Sequence, residues 1–362
     1  MRAAWEGLAP ANVWDSHSHL IGTGDSGSSG IYVNPRTESL LNPGEYARRL
    51  FFLNAGCVHE DKKGSVDRAY VERMHNLADG MRPGFKMVLF AFERSYDDRS
   101  QPDLPNTMFY VPDAYTRDTA KKYARYFEWA ASIHPYRGDA LEALDAAKKG
   151  GAVAVKWLPS AMNIDPASPR CDRFYEFLSR NQIPLIVHAG EERAVTGAEK
   201  QDYGNPLRLR RPLDAGVRVV IAHCASIGED RDLDKGEEGP YVDSFSLFVR
   251  VFEKYEKNCY GDISAMTQRN RAGPNLVRVI ETGEWHKRLL NGSDYPLPGL
   301  MPVFSVDYLV SLKLIPESAA PVLKEIRLHN PLLFDFVLKR NLRSNGKAIA
   351  AGVFETRRFF VR

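Results

Sequence analysis

Val13-Trp14-Asp15-Ser16-His17-Ser18-His19-Leu20 reads as a buried strand that runs into a pair of histidines. In an extended chain, residues two apart point to the same face. His17 and His19 therefore project together, with Asp15 one step earlier on the same side. Two imidazoles held side by side at the end of a stiff strand are half of a metal site. The other half has to come from elsewhere in the chain.

Outward from this stretch the chain repeats one grammar. A Gly/Ser-rich loop, Gly22 to Gly30, follows the first strand and reads as a flexible, polar lid. Residues 38–56 and 66–80 have helical spacing and form part of a long insertion. Six further apolar runs then read as strands: Lys86–Phe92, Phe127–Ile133, Ala152–Val155, Pro184–Val187, Arg218–Ala222 and Cys259–Ile263. Arg288–Leu290 supplies the last, and amphipathic helices follow most of them. One helix is expected near Asp118–Tyr126, one opened by a capping box at Asp139 and Glu142, and one with Phe245, Phe248, Phe252 and Tyr255 on a single face. Continuous apolar strands alternating with helices predict a parallel sheet covered on both faces. Eight such units predict an α/β fold of the (β/α)₈ TIM-barrel type with a long insertion after strand 1. A doubly wound open sheet is the alternative, weakened because no GxGxxG follows the first strand. The chain is expected to form one domain over residues 1–362, with the insertion at about 21–85 and a C-terminal helical and tail segment at about 300–362.

Polar residues fall at the C-terminal ends of these strands. His17 and His19 end strand 1, Lys156 strand 4, His188 strand 5 and His223 strand 6, and Asp294 lies in Gly-Ser-Asp-Tyr-Pro after strand 8. In a barrel those ends converge on one face, where active sites lie. Each residue alone also reads as a satisfied core or turn residue; together they put metal-ligand types at five of eight strand ends. His134 ends strand 3 beside Pro135 and reads as structural, as do His59, His75, His286 and His329. Substrate contacts are expected from Glu93, Arg94, Tyr136, Arg137 and Glu191 in the loops beyond the strands. Arg137, or one of Arg208, Arg210 and Arg211, is a candidate for a substrate carboxylate.

Composition excludes several classes. The 362 residues are 44% hydrophobic and 26% charged, an ordinary globular balance. No 18-residue apolar run marks a membrane span, and no signal peptide is evident. The net charge of +3, from 49 basic and 46 acidic residues, argues against nucleic acid as a partner. Two segments depart from this balance. Lys339 to Arg362 is basic and reads as a solvated end, and Glu229 to Glu238 is acidic and reads as a surface loop. Cys57, Cys171, Cys224 and Cys259 form no CxxC, which fits reduced thiols in a cytoplasmic protein.

With these residues in place, the chain resembles the amidohydrolase superfamily, in the branch of amidohydrolase family 2. Asp15-Ser-His17-Ser-His19, Val155-Lys156-Trp-Leu-Pro, Val187-His188-Ala-Gly, Ala222-His223-Cys and Gly292-Ser-Asp294-Tyr-Pro carry the resemblance, in that family's order, over roughly residues 13–300. The resemblance implies a (β/α)₈ barrel with one or two divalent metals, most often Zn²⁺, with Mn²⁺ also possible. It implies that His17, His19 and Asp294 hold the first metal. His188 then joins them, or belongs with His223 to a second. Lys156 occupies a position that some branches carboxylate into a bridging carbamate.

The activity expected is hydrolysis of an amide, ester or lactone of a small molecule by metal-activated water. In that scheme Asp294 moves the proton and His223 steadies the oxyanion or acts as a second acid/base. Asp15 is expected to orient a ligand or a neighbouring strand end. The alternative is non-oxidative decarboxylation of a small aromatic or unsaturated acid, and a non-catalytic binding barrel is a minor one. A homo-oligomer is compatible with all three.

Overall fold

The computed structural model describes residues 2–59 and 64–361; residues 60–63 of the expected insertion and Arg362 of the basic tail lie outside the described residues. Eight parallel strands form the centre: β1 (Trp14–His19), β2 (Lys86–Phe90), β3 (Phe127–Ala131), β4 (Ala154–Trp157), β5 (Leu185–His188), β6 (Val219–Ala222), β7 (Cys259–Asp262) and β8 (Leu289–Leu290). They are ordered β1 to β8 in space as in sequence. The sheet closes beyond the short β8. The Ser16 and His19 amides donate to the carbonyls of Asn291 and Tyr295 at 3.1 and 2.9 Å, and the Asp294 amide donates to the His17 carbonyl at 2.9 Å. Closure needs a close approach. A Cβ on Gly292 would stand 2.5 Å from the His17 Cβ, so only glycine lets the β8 segment lie against the histidine strand. The result is a TIM barrel.

Strand periodicity divides the apolar residues into two layers. Trp14, Val88, Phe90, Ala130, Ala154, Ile186, Val220 and Leu290 fill the barrel interior. Their partners at odd offsets, such as Leu89, Val155, Val187 and Ile221, face the surrounding helices in a larger shell. Two residues beyond an interior position lies the same face of the next layer up. Ala154 thus leads to Lys156, Ile186 to His188 and Tyr260 to Asp262, which is how the interior pattern delivers polar residues to the upper mouth. In β1 the pairing register with β2 shifts between Asp15 and Ser18, so simple alternation breaks there.

Among the described residues, the α-helices of eight residues or more are α1 (Pro43–Ala55), α2 (Val66–Asp79), α3 (Asp113–Lys122), α4 (Ala140–Lys149), α5 (Asp172–Arg180), α6 (Ser244–Lys254), α7 (Pro274–Glu281), α8 (Ala320–His329) and α9 (Pro331–Asn341). α6 is capped by Asp243, which accepts from the Ser246 amide, and buries Phe245, Phe248 and Phe252 as its spacing predicts. The helix expected near Asp118–Tyr126 begins earlier, at Asp113. The capping box expected at Asp139 does not form, because both Asp139 oxygens are taken by the Arg137 guanidinium at 2.9 and 2.7 Å. Among the described residues no helix is long and apolar enough to cross a membrane.

Three further expectations are corrected. The Gly22–Gly30 loop is not a free lid. Asp67 in the first turn of α2 accepts from the Thr23 amide (2.8 Å) and the Ser29 hydroxyl (2.7 Å), and Asp25 accepts from the Val66 amide (2.8 Å). The loop is thereby fastened to the N-terminus of α2, where carboxylates are favoured. Nor is the C-terminal tail a solvated end. Lys339 is fully buried, Phe359 joins the barrel interior, and the Thr356 hydroxyl donates to the Trp14 carbonyl at 2.6 Å. The tail closes the barrel from below. Its basic composition misleads because Phe354, Thr356 and Phe359 between the arginines are the buried residues. The acidic stretch from Glu229 is partly ordered as a two-stranded hairpin, Glu229–Arg231 against Tyr241–Asp243, and its Asp232 pairs with Arg250 at 2.8 Å.

Candidate metal centre

At the upper mouth of the barrel three lone-pair atoms converge. His17 Nε2 lies 3.3 Å from His19 Nε2 and 3.5 Å from Asp294 Oδ1, and His19 Nε2 lies 3.1 Å from that same oxygen. Ligand atoms bonded to one tetrahedral ion at about 2.0–2.1 Å stand roughly 3.3 Å apart. The three separations match that requirement. The backbone reaches the required shape at a cost, since Asp294 sits in the left-handed region at φ 60° and His223 at φ 55°.

Hydrogen bonds on the far side of the His17 and His223 rings fix which nitrogen faces inward. His17 Nδ1 lies 2.9 Å from Asp262 Oδ2, so it carries the proton and leaves Nε2 bare. Asp262 Oδ1 meanwhile accepts from the His223 and Ser264 amides at 2.9 and 3.0 Å. A second donor group, His17, His223 and Asp262, also lies within 4.8 Å of itself. Its carboxylate is already saturated by N–H donors, so it reads as the support beneath the first group. His223 Nδ1 lies 2.8 Å from the Ser264 hydroxyl oxygen and 3.0 Å from the Ser264 carbonyl; the hydroxyl gives its proton to Asp262 Oδ1, so both oxygens accept from the ring, Nδ1 is protonated and Nε2 presents a lone pair to the cavity.

His188 belongs to neither group. Its Nε2 is closed to solvent and, among the described residues, has no hydrogen-bond partner, although Glu192 Oε2 lies 3.4 Å away. A buried imidazole nitrogen left unmatched beside three converging donors is what a missing cation would explain. The residues therefore fit a divalent metal. Burial holds His17 and His223 well below the usual histidine range and pushes His188 down to about 3, so the cluster presents neutral imidazoles, the form that binds metal. Lys156 is fully buried, with Nζ 3.4 Å from His17 Nε2 and its pKa lowered to about 8, chiefly by burial.

Asp15 binds the neighbouring strand end, beyond β8. It accepts from the Ser293 amide at 2.8 Å, from the Ser293 hydroxyl and from the His17 amide at 3.1 Å. It thus ties the Ser293-Asp294 turn to the histidine strand.

The centre opens into a cavity of about 800 Å³. Phe51 and Phe52 of α1, Phe92 and Phe109 form much of its apolar wall, and Arg48, Arg193, Arg269 and Arg271 bring positive charge. Of the residues expected to contact substrate, Glu191 lines this cavity, with its carboxylate on Arg193 at 2.7 Å. The others do not. Glu93 is buried and holds Arg137 at 2.7 Å, Arg94 lies over the Tyr110 ring at 3.5 Å, and the Tyr136 hydroxyl accepts from the Asp165 amide. Loop position after a strand said nothing about these internal pairings. Arg208, Arg210 and Arg211 are likewise paired outside the cavity, with Asp165, Asp234 and Asp172. His134 is structural, its Nε2 bonded to the Met162 carbonyl at 2.8 Å.

Sequence reasoning did not single out Asp262, Ser264 and Arg271. Asp262 carried a usable signal, since it ends an apolar strand as Lys156 and His188 do. Asp262→Asn removes the anion behind His17 and is expected to weaken metal affinity about 10–100-fold, the usual effect of losing such a support. Competition with a chelator measures it; unchanged affinity would remove Asp262 from this role.

No curated protein matches the chain. Among solved structures, an uncharacterized TIM-barrel protein from Bordetella bronchiseptica is 17% identical with a TM-score of 0.53, over 90% of this chain and 99% of that one. It supports the fold alone. A putative 2-pyrone-4,6-dicarboxylic acid hydrolase from Pseudomonas putida is 14% identical (TM-score 0.46; 97% of this chain, 98% of that one). A 5-carboxyvanillate decarboxylase from Novosphingobium aromaticivorans, solved with bound manganese, is 11% identical (TM-score 0.47; 92% and 95%). At these scores neither bears on the reaction. The amidohydrolase family model (Amidohydro_2) matches residues 14–317, and the chain belongs to this family, whose members are metal-dependent enzymes acting as hydrolases or decarboxylases.

Proposed function

We propose that the protein is a hydrolase of an amide, ester or lactone bond in a small molecule, working with one divalent metal. The observation that carries this reading is the convergence of His17 Nε2, His19 Nε2 and Asp294 Oδ1 at the floor of the cavity. These three atoms would hold the ion, with the unmatched His188 Nε2 available as a fourth donor. Zinc or manganese held there supplies a Lewis acid that polarises a carbonyl and acidifies water.

The protein's own groups supply the proton handling. Asp294 Oδ1 faces the histidines, which leaves Oδ2 to take a proton from the attacking water and return it to the leaving nitrogen or oxygen. His223 is a neutral acceptor at rest, because Nδ1 spends its proton on the oxygens of Ser264. Its role is therefore to accept at Nε2. The resting ring has no N–H there to steady an oxyanion, and becomes a donor only after taking up a proton. Burial keeps that protonated form short-lived and so a ready proton donor. Two resting acceptors suit deprotonation of water. Decarboxylation instead needs a proton delivered to carbon, and neither group carries one at rest.

Incubation of the metal-loaded protein with esters, lactones and amides in ¹⁸O-labelled water tests the reading. One labelled oxygen per acid product is expected; release of CO₂ without label would replace hydrolysis by decarboxylation. Metal analysis is expected to give one ion per chain, unchanged by bicarbonate. Two ions, dependent on bicarbonate and lost in Lys156→Ala, would instead make Lys156 a bridging carbamate.

A further inference from the structure

We propose that Arg271 is the anchor for an anionic group on the substrate, so that the preferred substrates are apolar molecules carrying a carboxylate. The proposal rests on the cavity being the active site, as argued above. Arg271 lies in the loop after β7 and lines the cavity. A guanidinium offers five N–H donors in a planar fork that matches a carboxylate. Among the described residues, the Arg271 side chain uses one of them, on the Ser226 hydroxyl at 3.3 Å, and makes no ion pair. Its Nε is cut off from solvent with no partner.

Two of the other cavity arginines are paired, Arg48 with Glu45 and Arg193 with Glu191, each at 2.7 Å, and Arg269 is exposed, where water can solvate it, and lies over the Tyr308 ring at 5.6 Å. A guanidinium with a single hydrogen bond is costly where its Nε is shut off from solvent, and the carboxylates of Asp294, Glu192 and Asp262 act on its charge without forming an ion pair with it. A bound anion would satisfy it. Arg271 lines the same cavity as His17, His19, His188 and Asp294. An anion on Arg271 therefore places the body of a small substrate across the metal-facing atoms and against Phe52, Phe92 and Phe109. Apolar area gives such a ligand its affinity, and the charged fork gives it its orientation.

Calorimetric titration of metal-free, full-length protein with 2-naphthoate and its neutral counterpart 2-naphthamide tests this. The wild type is expected to bind the carboxylate about tenfold or more tightly than the amide, as a charge-assisted pair warrants. Arg271→Gln should erase that preference while leaving naphthamide affinity within about twofold, and Lys156→Met should preserve it. If Arg271→Gln does not fold, Arg271→Lys decides, with a preference expected between the two because a point cation replaces the fork. Equal affinities in the wild type, absence of binding, a preference retained in Arg271→Gln or undiminished in Arg271→Lys, or one lost in Lys156→Met would each overturn the assignment. The measurement is made without metal, so failure of the hydrolase reading, seen as no metal uptake or no labelled product, leaves its outcome unchanged.

Discussion

Asp294→Asn is expected to lower kcat by about 10²–10⁴-fold, the share that a positioned acid–base group supplies, while keeping most of the bound metal. Asparagine is the informative replacement for two reasons. Its carbonyl oxygen can stand where Oδ1 stands, 3.1 Å from His19 Nε2, but its amide cannot take a proton from water. It also tolerates the left-handed backbone at φ 60°, where alanine would add strain to the chemical change. Metal content and single-turnover rate measured on the same preparation separate the two roles. A variant with near wild-type turnover would show that the proton moves elsewhere, with His223 the next residue to replace. A variant that loses its metal would show that the full carboxylate charge is needed for binding.

Lys339→Met is expected to destabilise the protein by about 3–5 kcal/mol, the usual result of removing one partner of a buried ion pair. Lys339 Nζ lies 2.7 Å from Asp335 Oδ2 one helical turn away in α9, and both side chains are essentially unexposed. The same ammonium donates to the Gly292 carbonyl at 2.6 Å. The substitution therefore removes the partner of Asp335, a carboxyl that burial already raises to about 7, leaves its polar oxygens unmatched in the core, and also releases the turn that carries Ser293 and Asp294. Urea unfolding of the single variant and of Lys339→Met/Asp335→Leu measures the effect. The double variant is expected to recover much of the loss, because it no longer buries an unmatched carboxyl. Recovery of stability without recovery of metal affinity would separate the bond to Gly292 from the ion pair. A single variant as stable as the wild type would mean that Asp335 is readily neutralised in the core.

The parts of this protein that were legible in sequence are those whose physics is local. Strand runs such as Pro184–Val187 were readable because they are apolar throughout, and their order was enough for a barrel. Helix α6 was readable from three phenylalanines at helical spacing. The histidine pair was readable because two residues apart on a strand is a geometric statement. Where local readings failed, a distant partner had taken the group. Arg137 forms an ion pair with Glu93 across 44 positions and also takes the expected capping oxygens of Asp139. The glycine-rich loop is held by Asp67, and Lys339 in a basic tail is buried by a bond to Gly292.

The sequence by itself determined the barrel, the strand ends that carry polar side chains and the donor types at each, because alternation and apolar length are properties of a single segment. Tertiary structure decided what each donor faces. It put Asp262 behind His17 across 245 positions, set the inward nitrogen of His223 through Ser264, 41 residues away, and left Arg271 in the cavity wall with no ion pair among the described residues. Protonation state, tautomer and pairing depend on neighbours within about 3 Å, and in a closed barrel most of those neighbours come from other strands.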